Sequence, residues 1–139
     1  MIFGIADALG LSGAKALARA VGSDEKRRVL VLDPNAARAL EQAGHTSLLA
    51  KLDGGRLQCD ERSADALCLS GTPDDPALLR ECARAVRSGG RVLMATGMSL
   101  ARRGPERHLV SALFLHAGLV DVQQRWSRGV LITSGRVRG

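Results

Sequence analysis

At 139 residues the chain reads as a single domain, 1–139, with 45% apolar residues and no low-complexity run, long enough to bury roughly 68% of its unfolded surface. Its formal charge of +6, supplied mainly by arginine, favours acidic partners, yet aromatic residues make up only 2%, which removes a base-stacking platform and argues against nucleic acid. No apolar run reaches the roughly 18 residues of a membrane span. Met1 to Leu11 contains Asp7 and lacks the basic start of a signal peptide. Cys59, Cys68 and Cys82 have no paired spacing and read as reduced small hydrophobes of a cytoplasmic protein, with no metal assigned.

In chain order, Ile2 to Ala6 is an apolar run ending at Asp7, the first predicted strand. Gly10 to Gly13 turns the chain, and Ser12 caps a helix that runs through Val21 and stops at Gly22. Val29 to Leu32 is the second strand and ends at Asp33; Pro34-Asn35 opens a helix closed by Gly44. His45 to Leu52 reads as further helical turn, and Arg56 to Cys59 as a brief third strand followed by Asp60. Ala66 to Leu69 and Val92 to Ala95 are apolar on consecutive residues, as strands covered on both faces are. Between them Asp75-Pro76 starts a helix with Leu79, Cys82 and Val86 inward, Arg80, Glu81, Arg84 and Arg87 outward, and Ser88-Gly89-Gly90 as its stop. Strand, helix and strand at this spacing form a right-handed parallel crossover. A greasy helix over 105–117 follows, then strands at Leu119–Gln123 and Val130–Thr133 joined by a loop over Arg125–Gly129. The fold class is α/β: a doubly wound, mostly parallel, seven-stranded sheet with a C-terminal antiparallel hairpin.

The stretch LLRECARAVRSGGRVLMATG resembles the helix and fifth strand of class I S-adenosylmethionine-dependent methyltransferases, and the resemblance runs from Ile2 to about Arg136. It implies a cofactor site at the carboxyl edge of the strands, where Asp7, Asp33, Asp60 and Ser70 are all expected. On this pattern Asp33 matches the acidic residue for the ribose hydroxyls, and Asp60 the one near the adenine amine; a carboxylate accepts strong hydrogen bonds from both donors. The family's first loop is D-x-G-x-G-x-G. Here Asp7 to Gly13 reads DALGLSG, so Leu9 and Leu11 replace two glycines, Gly13 remains, and Gly10 is recovered only by sliding the register. Leucine at a glycine position with φ > 0 costs roughly 1–2 kcal/mol. Met1 stands directly before the first strand, so the cover that such enzymes place over the cofactor is not expected. His45, His108 and His116 lie far apart, and no nucleophile elbow, phosphate loop or metal spacing occurs.

Two readings follow. The first is a non-catalytic subunit or interaction module with no catalytic residue and no cofactor. Its partner or second copy docks on helix 105–117, and an acidic partner on a basic amino edge made by Arg28, Arg56, Arg91 and Arg136. A second basic cluster, Arg102, Arg103 and Arg107, falls beside the cofactor side. The alternative is an active methyltransferase using S-adenosylmethionine and completed by a partner or second subunit.

Overall fold

The computed structural model describes residues 28–31, 34–42, 44–49, 52–53, 56–60, 62–70, 76–97, 104–127 and 130–138. The first predicted strand and helix, Asp7, Gly10, Gly13, Asp33 and the pair Arg102 and Arg103 lie outside these residues. The described elements are β1 (Arg28–Val31), α1 (Pro34–Gln42), β2 (Thr46–Leu49), β3 (Leu52–Asp53), β4 (Arg56–Leu57), β5 (Ala64–Ser70), α2 (Pro76–Ala85), β6 (Val86–Gly97), α3 (Gly104–His116), β7 (Val120–Ser127) and β8 (Val130–Arg136).

Among the described residues the main sheet has six strands in the order β2-β1-β5-β6-β8-β7. The first four are parallel, and β8 runs antiparallel to both β6 and β7, giving the expected closing hairpin. The core strands owe their place to being apolar on both faces. Val29, Leu30 and Val31 are 0–4% exposed, and Leu67, Cys68, Val92 and Leu93 are fully buried. Helices α2 and α3 cover one face, through Leu79, Cys82, Ala85, Val110, Leu113 and Phe114 packed on Leu30, Leu67, Leu69, Val92 and Met94. On the other face Leu40 of α1 packs with Val29, Val31, Cys68 and Leu93. At about 1.5–3 kcal/mol for each fully buried large apolar side chain, these two layers dominate stability.

Several local expectations change. The strand at 28–31 pairs with β5 directly, Leu30 opposite Leu67. It is therefore second in the described sheet, between β2 and β5. Residues 46–49, read as helical, form β2 on its outer side, Leu48 opposite Leu30. The helix before them cannot continue, because Gly44 is left-handed (φ 92°) and closes α1 with two bonds, Gly44 N–H to Glu41 C=O and His45 N–H to Leu40 C=O, both 3.0 Å. The open edge of β1 then recruits Thr46–Leu49, tertiary pairing overriding local preference. The third strand is reduced to Arg56–Leu57, which pairs with Leu52–Asp53 in a separate two-stranded ribbon. Its Leu57 N–H donates to the Glu81 carboxylate at 3.0 Å instead of to a sheet neighbour.

Helix α2 ends at Ala85, before the predicted Gly-Gly stop. Its last carbonyls are taken by the incoming strand, Arg62 N–H to Arg84 C=O and Ser63 N–H to Ala85 C=O, each 2.9 Å. Gly89 and Gly90 instead lie within β6, where a bulge lets five residues of β6 pass two of β5. The hairpin loop is also shorter than expected, since β7 runs to Ser127 and β8 starts at Val130. Among the described residues no helix is long and apolar enough to cross a membrane.

Candidate functional site

The strand order fixes where a ligand crevice can form. From β1 the chain goes outward to β2 and then returns to β5 on the other side, so the topological switch point lies between β1 and β5. Ligands of open α/β sheets bind there, outside the carboxyl ends of the strands. On β1 that end is Val31, and only Leu32 and Asp33 separate it from Pro34, the first residue of α1. On β5 it is Ser70, beside Ala95 of β6. The neighbouring described positions are apolar and closed: Val31 is fully buried and Ala95 3% exposed, while Val130 and Leu131 are each 1% exposed. Thr96, 1% exposed, is a polar residue buried close to this end.

Of the four carboxyl-edge residues predicted, Ser70 stands at the carboxyl end and Asp60 does not. Asp60 precedes Ala64, where β5 begins, by four positions, a span of at most about 14 Å. The seven residues of β5 carry Ser70 about 20 Å further along. Asp60 is consequently at the amino end, where it shares a cleft with Arg28 and Ser63. The reason is the missing length: with β4 outside the sheet and three residues from Asp60 to β5, the chain has no room to climb to the opposite edge.

That amino-edge cleft has a volume of about 780 Å³ and is lined chiefly by Arg28, Arg56, Arg84, Asp60, Ser63 and Leu48. Sequence periodicity placed Arg84 and Glu81 on a solvent face; both are half-buried, their side chains 22% and 13% exposed. Arg84 Nη2 donates to Glu81 Oε1 at 2.5 Å and to Leu57 C=O at 3.3 Å. The bond from Arg84 holds the Glu81 carboxyl below its ordinary range against the opposing effect of burial, helped by the Leu57 N–H. Deeper in the fold, burial pushes the Cys68 and Cys82 thiols up to about 12, so both are protonated packing groups. Half-buried Cys59 is raised as well, chiefly by burial.

The predicted basic edge resolves into pieces. Arg91 and Arg136 sit opposite each other in the β6–β8 register, and Arg136 is paired with Asp121 at 2.6 Å. Arg87 pairs with Asp65 at 2.7 Å. Arg28 and Arg56 are exposed and carry no ion pair among the described residues. Helix α3 buries Val110, Leu113 and Phe114 but leaves Leu109 49% and Leu115 59% exposed. His108 and His116 are exposed on the same helix, and His45, which follows α1, is buried. Among the described residues no group of three or more metal-ligating side chains converges.

No protein-family model matches the sequence. No curated protein matches it either. Solved structures do match in fold. A Methanococcus maripaludis protein described as an S-adenosylmethionine-dependent methyltransferase superposes with a TM-score of 0.67 at 11% identity, covering 98% of this chain and 90% of that one. A Thermotoga maritima protein described as a methyltransferase gives 0.61 at 14% identity over 94% and 91% of the two chains. A chain of the Haloferax volcanii complex between the Trm112 methyltransferase activator and a protein described as a methyltransferase gives 0.61 at 15% identity, over 98% and 93%.

Proposed function

We propose that this chain, which has the fold of the class I S-adenosylmethionine-dependent methyltransferases, is a non-catalytic subunit that binds a protein partner in place of the methyl donor. The observation that carries this is the junction at the switch point. Two residues, Leu32 and Asp33, join β1 to α1, and neither is glycine. A sulfonium nucleotide lying across the crevice needs backbone brought close to it, which glycine permits and a Cβ obstructs. Pro34, which opens α1, also removes one of the free N–H donors of the helix start. Among the described residues, the buried apolar positions at this edge, Val31 and Ala95 together with Val130 and Leu131 at the start of antiparallel β8, support the same reading.

The partner surface is the outer side of the α3 layer. Leu109 and Leu115 project from α3, and Trp126, 43% exposed, adds a third large apolar group. Trp126 lies opposite Leu131 in the hairpin, and along the same pleat Gly135 meets Phe114 and Leu119 beneath α3. Leu109, Leu115 and Trp126 are the exposed large apolar groups among the described residues, and they support an interaction surface on this layer. The Haloferax assembly, in which a chain of this fold and nearly this length belongs to an activator complex, supports partner dependence. Calorimetric titration with S-adenosylmethionine and S-adenosylhomocysteine tests the reading: no saturable heat is expected. Micromolar binding that disappears in Asp33→Ala would overturn it in favour of a methyltransferase completed by its partner.

A further inference from the structure

We infer that the amino-edge cleft, at the opposite end of the sheet from the switch point, is a binding site for a small hydroxylated phosphate ester, a sugar-phosphate type of ligand. Its charge arises from how the nearby carboxylates are committed. Asp65 accepts the Arg28 backbone N–H at 2.9 Å and Arg87 Nε at 2.7 Å, which fixes the start of β1 but leaves the Arg28 guanidinium out of the pair. Glu81 is engaged by Arg84 and by the Leu57 N–H. Arg28 and Arg56 thus line the same cleft with no ion pair among the described residues, Arg56 lying near enough to Glu81 to help lower its carboxyl. Two such planar forks are suited to the oxygens of a phosphate or carboxylate.

The rest of the lining selects the body of the ligand. Asp60 accepts, and Ser63 accepts or donates, hydrogen bonds, which suits hydroxyl groups and opposes a second anionic end. Among the described residues no aromatic side chain lines the cleft, so they offer a nucleobase nothing to stack on. The volume, about 780 Å³, falls within the range of small-molecule sites. Arg62 is held left-handed (φ 51°) beside Ser63, with both backbone N–H groups bound to the end of α2. Such non-glycine conformations cost free energy and persist where the surroundings impose them. Here the result is to fix Ser63 at the cleft wall.

The test is calorimetric titration of the full chain with glucose phosphate, ribose phosphate and glycerol phosphate, with inorganic phosphate, glucose and tetraglutamate as comparators. At least one ester is expected to bind more tightly than inorganic phosphate and tetraglutamate, with glucose inert. Arg28→Gln and Arg56→Gln should each weaken it by about tenfold at an unchanged melting temperature. Ser63→Ala, which keeps the backbone bonds, should weaken it less. Alkylation of half-buried Cys59, which lines the same cleft, should slow when the ester is present. No binding of any ester, equal binding of inorganic phosphate, undiminished binding by both arginine variants, or tighter binding of tetraglutamate would each overturn the assignment. Because this site lies at the amino edge, its outcome is independent of the titration with the methyl donor.

Discussion

Glu81 carries more of the fold than a residue on a nominally solvent-facing position should. Its carboxylate ties α2 to the β3–β4 ribbon through Arg84 and the Leu57 N–H. The folded carboxyl titrates below its ordinary value of 4.5, so its contribution is present above that range and fades as pH falls through the lower folded value. Glu81→Gln should therefore cost about 1 kcal/mol in denaturant unfolding at neutral pH, and the gap from the parent should close in acid. A gap of constant size across that range would contradict the assignment. Gly90 is fixed by space. A Cβ there would stand 2.5 Å from the Asp65 carbonyl oxygen and against Val86. Gly90→Ala should destabilise by about 2–3 kcal/mol, read as a lowered melting temperature; an unchanged one would mean that β6 can shift at the bulge.

At the scale of elements, α3 separates folding from association. Val110, Leu113 and Phe114 anchor it, whereas Leu109, Leu115 and, beyond the helix, Trp126 face outward. Replacing Leu109 and Leu115 together by Ser should change stability by no more than about 1 kcal/mol and abolish binding to the protein's partner in affinity capture. Capture of the same partner by the double variant would remove α3 from the interface. The elements also show what a sequence can disclose. The buried strands at Ala66–Leu69 and Val92–Ala95 and the helix between them were legible because apolar runs and a 3.6-residue period are local signals. Gly44 was legible as a stop, and it closes its helix with left-handed backbone (φ 92°). β2 was not, since Thr46–Leu49 becomes a strand only by meeting the edge of β1. The burial of Glu81 and Arg84 was hidden for a related reason: a partner 24 residues away in the chain, Leu57, supplies it.

For the whole molecule, the strand order carries the functional argument. Class and crossover were visible in the sequence, as was the antiparallel closing hairpin. The place of the strand at 28–31 was not, because Val29–Leu32 reads as an apolar run whatever its neighbours, and only pairing sets it between β2 and β5. That pairing moves attention from the loop at Asp7–Gly13, which lies outside the described residues, to the two-residue junction at Leu32-Asp33. It also parts Asp60 from Ser70, so residues expected at one edge stand at opposite ends of the sheet. The fold is therefore shared with methyl-transferring enzymes, while the proposed function separates it from methyl-donor binding, a separation that one fold permits. Amide chemical-shift mapping during addition of S-adenosylhomocysteine is the direct measurement of this claim. The account predicts no saturable shifts at Val31, Asp33, Ser70 or Ala95 at millimolar ligand; saturable shifts confined to those positions would contradict it.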